Sequence, residues 1–200
     1  MSFLQLAGLW FRSRILRDRA ARWNHQYAVG RWDKLKAPEE QARFAATARL
    51  LVRHVPPGHV LEIGCGESLL LQRLKPTDYR SWLGVDISEI AIQRAQAFAR
   101  EHVHYVVADM ETMTPDGMFD AIVFTESIYY STDCARLLRR FSRCLNPKGL
   151  FVVSICRTKR SARVWEAIHA VVGVVATATT INEQEIWDCE VLTRTEPQAT

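Results

Sequence analysis

Paired cysteines are missing from this chain. Its five cysteines, Cys65, Cys134, Cys144, Cys156 and Cys189, are scattered, with no C-x-x-C pair and no histidine at zinc spacing. That pattern excludes a disulfide framework and the usual structural zinc sites. A chain of 200 residues can build its core without either, so a reducing, cytoplasmic compartment is expected. His102 and His104 lack a third ligand nearby in sequence, and no metal site is expected. Long apolar runs are also missing. The N-terminal stretch Met1–Phe11 is too short to span a bilayer, and Arg12, Arg14, Arg17 and Arg19 follow it, whereas a signal peptide carries its charge first. There is no repeat at solenoid periods. The 48% hydrophobic and 24% charged content is that of an ordinary globular protein and excludes disorder.

Acidic residues are scarce at the N-terminus. Residues 1–36 carry eight Lys or Arg against two Asp, which is +6, and a net charge of +4 leaves −2 for the remainder. The basicity therefore belongs to one segment. Such a segment can attract phosphate or anionic lipid, or form a solvated helix face. The expected arrangement is a helix folded over its own domain, with weak peripheral membrane contact as the alternative.

From Val60 onward, short apolar runs alternate with helical patterns, the rhythm of a parallel sheet with crossover helices. Strands are expected at residues 59–63, 81–86, 103–108, 119–125 and 150–155, the last after the turn Asn146-Pro-Lys-Gly149. Ser88 caps a helix whose Ile92, Ala95 and Ala99 face the sheet, and Asp133 caps one carrying Cys134, Leu137, Leu138, Phe141 and Leu145. A helix over 162–172 and an antiparallel hairpin from 174–181 and 186–193 close the chain. Upstream, 39–54 is expected to be helical, stopped by Pro56-Pro57-Gly58. The chain divides into an N-terminal helical lid or cap, residues 1–55, and a core, residues 56–200.

The strongest chemical feature is Val60-Leu-Glu-Ile-Gly-Cys-Gly66, a strand running into glycines that let a ligand approach the backbone. A helix is expected next, with its N–H groups turned to the same place. Asp86, twenty residues past Gly66 at the end of the second strand, can accept hydrogen bonds from a ribose. A dinucleotide fingerprint needs a third glycine where Leu69 stands. Glu62 would repel a diphosphate and welcome a cation.

On these residues the sequence resembles the class I S-adenosylmethionine (SAM)-dependent methyltransferases. Their first motif is matched by Glu62, Gly64, Cys65 and Gly66, with Ser68 in place of the last glycine. Gly84-Val-Asp-Ile-Ser88 is similar to the ribose-binding segment, through Asp86 and Ile87. Ala108-Asp-Met110 is similar to the adenine site, through Asp109 and Met110. Leu145-Asn-Pro-Lys-Gly149 is similar to the turn before the fifth strand. The resemblance implies a Rossmann-like α/β fold, a doubly wound, seven-stranded, mostly parallel sheet with one antiparallel strand in a C-terminal hairpin, and SAM as cofactor. Taken singly, each feature also fits a plain turn, a helix cap or an exposed loop acid.

The segment Thr125-Glu-Ser-Ile-Tyr-Tyr130 falls on the acceptor side in resembling enzymes. There Glu126 would orient or deprotonate an acceptor and also border the cofactor, while Tyr129 and Tyr130 would line the site or pack against the hairpin. His25, Tyr27, Arg31 and Trp32 are lid candidates that would exclude water. Within the family, the chain resembles the nodulation-type N-methyltransferases that modify an amino sugar of an oligosaccharide. An O-methyltransferase and a non-catalytic SAM-fold module are the alternatives. The Asn-Pro-Pro-Tyr type motif is missing and the body is slightly acidic, so nucleic acid is not the expected partner. A small-molecule acceptor and a monomer or homodimer are.

Overall fold

Alternating apolar residues build seven strands in a computed structural model that describes residues 1–14 and 18–194. They are β1 (His59–Ile63), β2 (Ser81–Asp86), β3 (Val103–Val107), β4 (Phe119–Thr125), β5 (Leu145–Cys156), β6 (Val172–Ile181) and β7 (Ile186–Arg194). Their order is β3-β2-β1-β4-β5-β7-β6. Neighbours from β3 to β5 run parallel, and β7 lies antiparallel between β5 and β6. The order reverses between β1 and β4, which opens a crevice at the carboxyl ends of the strands. Arg17 and residues 195–200 lie outside the described part.

Strand periodicity sorts the core into two layers. Val60, Ala121, Val123, Val152 and Val191 face helix α3 (Gln41–His54) and helix α4 (Glu89–Ala95). Leu61, Ile122, Phe124, Phe151 and Val153 face helix α5 (Cys134–Phe141) and helix α6 (Ser161–His169). Ser88 Oγ accepts from Ala91 N at 3.2 Å and Asp133 from Arg136 N at 2.9 Å, so both expected caps start their helices. Ahead of the core lie α1 (Phe3–Arg14) and α2 (Arg19–Ala28), which pack on each other. Helix α3 belongs to the layer on the sheet, while α2 and the turns after it line the crevice.

Several sequence expectations are corrected. No α-helix follows the glycine turn; residues after Gly66 form turns and a short 3-10 stretch, Leu71–Arg73. Ser68 is the reason. Its φ of +64° is left-handed and interrupts a right-handed helix, and its hydroxyl is held 2.6 Å from the Tyr105 hydroxyl. The α4 helix gives way to a 3-10 turn over Gln96–Phe98, so Ala99 is exposed and Phe98 packs instead. The turn at 146–149 is an excursion within β5, between the pairs Phe119↔Leu145 and Ala121↔Leu150. The upstream helix begins at Gln41, after a 3-10 turn over Pro38–Glu40. The helix expected to reach Val172 ends at His169, and Val172 opens β6.

Phe141 is fully buried and meets Phe124 edge-on at 5.9 Å. Phe141→Ala is expected to lower unfolding free energy by about 3–5 kcal/mol, read as a fall in the urea midpoint without loss of cooperativity.

Candidate active site

The crevice at the β1–β4 reversal contains a cavity of about 230 Å³. Its floor comes from β1, β2 and β4, and its cover from α2 and the turns after it. Glu62, the penultimate residue of β1, is 1% exposed. Its Oε2, Thr125 Oγ1 and the Trp82 indole N–H are all buried without a hydrogen-bond partner. Thr125 and Trp82 lie close enough to favour the carboxylate electrically, but neither reaches hydrogen-bond geometry. Burial, with help from the nearby Asp86 charge, pushes Glu62 up to about 8.

Asp86 ends β2, buried beside the glycine turn. Its carboxylate accepts Gly66 N at 3.0 Å and Ser88 N at 2.8 Å. Burial still lifts it to about 6, against those bonds. The turn is fixed in the same way: Gly64 N and Cys65 N both donate to Val85 O, at 2.7 and 3.0 Å. The N–H groups of the glycine turn are therefore used by β2, and the helix whose N–H groups were expected to face a ligand does not form. Close approach is real, however. Gly64 and Gly66 have φ of +73° and +54°, and a Cβ on Gly66 would stand 2.7 Å from the Tyr27 hydroxyl, while one on Gly64 would strike Ser127.

Every residue named for the cofactor lines this cavity: Glu62, Gly64, Cys65, Gly66, Asp86, Ile87, Asp109, Met110 and Glu126. Asp109 caps its own turn through Glu111 N at 2.9 Å and faces Arg19 Nη1 at 3.6 Å. Cys65 is buried and its thiol is held well above the usual range. Ser68 lies behind the cavity, not on it. Of the lid candidates, Tyr27 and Trp32 line the cavity, 6.3 Å apart. His25 is half-buried on α2 and Arg31 is exposed over the outer side of the Trp32 ring, 5.7 Å from its centroid, and neither lines it.

Glu126 follows β4 with a φ of +55°, a strained backbone for a non-glycine residue. Side-chain bonds hold it there. Oε1 accepts from Ser154 Oγ at 2.7 Å, and Oε2 accepts from Cys156 N at 2.9 Å and the Tyr129 hydroxyl at 3.2 Å. Burial raises its pKa while Arg43 and these bonds oppose the rise. Tyr129 is pushed far up by burial and the Glu126 charge, so it is a hydrogen-bond donor and not a base. Tyr130 meets Trp23 edge-on at 4.7 Å, and its carbonyl accepts from Arg19 at 3.3 Å.

Sequence reading missed the wall built by α3 and the hairpin. Glu40, Arg43, Glu185 and Trp187 all line the cavity. Arg43 is 4% exposed and bonds Glu40 through Nε at 2.8 Å, with Nη1 buried and unpartnered. The signal was present: Arg43 shares a helical stripe with Thr47, Leu50 and Leu51, and an arginine inside a buried stripe needs a reason. Arg19 and Trp23, the latter in the aromatic segment that suggests a lid, also line the cavity.

These residues fit SAM. A buried carboxylate with an orphaned oxygen suits the ammonium of the amino-acid end, the glycine turn accommodates close approach, and each Asp86 oxygen retains acceptor capacity for a ribose hydroxyl. Linkage then fixes a pH dependence. Because burial raises the Glu62 and Asp86 values, to about 8 and about 6, the stability they confer is full below their unfolded values and lost as pH rises through the folded ones. A cation binds the ionised forms. SAM affinity is expected to increase as pH rises from about 6 to about 8, with proton release measurable by calorimetry in buffers of different ionisation enthalpy. Glu62→Gln should flatten the upper part of that profile and weaken binding roughly 30-fold or more; an unchanged profile would contradict the assignment.

Comparison with known proteins agrees. Residues 61–153 match the family model described as a methyltransferase domain. The chain is 28% identical over 147 residues to nodulation protein S of Rhizobium tropici, covering 71% of this chain and 61% of that one. It is 30% identical over 170 residues to 27-O-demethylrifamycin SV methyltransferase of Amycolatopsis mediterranei, covering 77% and 62%. The chain thus spans about three-fifths of the length of these relatives. The crystal structure of the N-methyltransferase NodS from Bradyrhizobium japonicum WM9 with S-adenosyl-L-homocysteine superposes with a TM-score of 0.71 at 19% identity, covering 96% of this chain and 99% of that one, which shows a common fold. The match runs from the glycine turn through β5, so residues 61–153 form a methyltransferase domain similar to those of SAM-dependent enzymes, and SAM is the cofactor that the crevice fits.

Proposed function

We propose that this protein transfers the methyl group of SAM to an amine of a small-molecule acceptor, with an amino sugar or its oligosaccharide as the first candidate. The observation that carries the reading is Glu126, a carboxylate held by three hydrogen bonds at the end of β4 and facing the cofactor cavity. Bound SAM supplies an activated methyl group, so the chain's task is alignment and proton handling. With Glu40 paired to Arg43, Glu126 and Glu185 leave the acceptor side net negative, which attracts an ammonium. Glu126 then takes the proton that frees the nitrogen lone pair, and its raised pKa improves it as a base. Tyr129 keeps the carboxylate oriented. Tyr27, Trp23 and Trp32 form the lid that excludes water, tied down where Glu67 pairs with Lys36 at 2.5 Å and Arg94 at 2.6 Å.

A hydroxyl acceptor is the second reading, favoured by the identity to the rifamycin O-methyltransferase of Amycolatopsis; Glu126 would serve it in the same way. A panel of amino sugars, simple amines and sugar or phenolic hydroxyls, assayed for labelled methyl from SAM, separates the two. Amine labelling is expected. Transfer to no member would favour a SAM-fold binding module. Glu126→Gln should lower kcat about 10²–10⁴-fold with SAM affinity little changed, and undiminished turnover removes Glu126 from the chemistry.

A further inference from the structure

The N-terminal helix leaves its most apolar face uncovered. In α1, Leu6, Leu9 and Ser13 are the half-buried positions, and their spacing puts them on one side, against α2. No residue of α1 is buried. Phe3 is 84% exposed, Leu4 80%, Trp10 50% and Phe11 51%. With Ala7 between them, these residues recur at i, i+1, i+4, i+7 and i+8, one continuous stripe, and Arg14 extends it by another turn. A patch of this kind marks an interaction surface.

We infer that α1 is an interfacial helix that docks the protein on an anionic lipid bilayer. Charge decides the occupant. Residues 1–14 contain no Asp or Glu, and Arg14 and Arg22 have no ion-pair partner among the described residues, although Arg12 pairs with Asp18 at 2.5 Å. Two copies meeting through this stripe would bring two unpaired Arg14 guanidiniums and two helices without an acid together, which costs energy. An anionic headgroup layer attracts the same segment, and Trp and Phe beside arginine suit the headgroup boundary. The docked unit is connected to the site, since α2 carries Arg19, Trp23 and Tyr27 into the cavity. Docking would hold the cover of the crevice next to the membrane.

Flotation of the full chain with phosphatidylcholine vesicles, with and without phosphatidylglycerol, tests this. Binding is expected to the mixed vesicles and not to phosphatidylcholine alone, and to weaken as salt rises. Trp10→Ala should reduce partitioning on the order of tenfold and Arg14→Gln about fivefold. Both positions are exposed, and SAM binding by the variants reports that the fold is intact. Failure of the full chain to float with phosphatidylglycerol, or undiminished flotation of Trp10→Ala, overturns the inference. So does a chain that is dimeric in solution and becomes monomeric on Trp10→Ala, since the stripe would then cover a second copy.

Discussion

Glu62 is buried at the carboxyl end of β1 with one oxygen unpartnered, and Asp86 lies buried on the neighbouring strand. Neither has an ion-pair partner among the described residues. A carboxyl pushed from an ordinary 4.5 to about 8 resists ionisation by on the order of 5 kcal/mol, and a structure keeps such a group where a ligand cation compensates it. The other features of the cofactor half are arranged around that deficit. The glycine turn brings backbone to it, Val85 O anchors the turn, and Asp86 holds Gly66 and Ser88 in register.

Two non-glycine residues in left-handed backbone flank this centre. Ser68 is anchored by Tyr105 on β3, and Glu126 by Ser154 and Cys156 on β5. In each case a rigid strand supplies the hydrogen bonds that offset the strain. The consequences differ. Ser68 ends a helix before it forms and is kept away from the cavity, while Glu126 is directed into it. The N-terminal segment completes the enclosure through polar ties: Asn24 accepts from the Ser88 hydroxyl at 2.7 Å, and Arg19 reaches Asp109 and Glu111.

The clustering of Glu62, the glycine turn and Asp86 around one cavity was legible because strand period and glycine chemistry are local. Glu62, Gly64, Gly66 and Asp86 are placed by two adjacent strands whose patterns are plain in the sequence. Sheet order and the antiparallel β7 came through family resemblance, since pairing is not local. No local pattern shows that the helix after Gly66 is missing, since Ser68 takes a left-handed backbone there and its hydroxyl is held by Tyr105, 37 residues away. The acceptor wall was missed for the same reason. Glu40 and Arg43 meet Glu185 and Trp187 only after α3 packs over β5, β6 and β7. His25 and Arg31 shared a segment with Tyr27 and Trp32 but fall on its outer side, a distinction that needs the turn geometry after α2.

The most direct measurement is the equilibrium affinity of SAM for the unaltered chain and for Asp86→Ala, with circular dichroism confirming that both are folded. Loss of the Asp86 carboxylate, the proposed acceptor for ribose hydroxyls, should weaken binding by about tenfold to a hundredfold while the helix and sheet signals persist. Equal affinity in the two folded proteins would contradict the placement of SAM in this crevice.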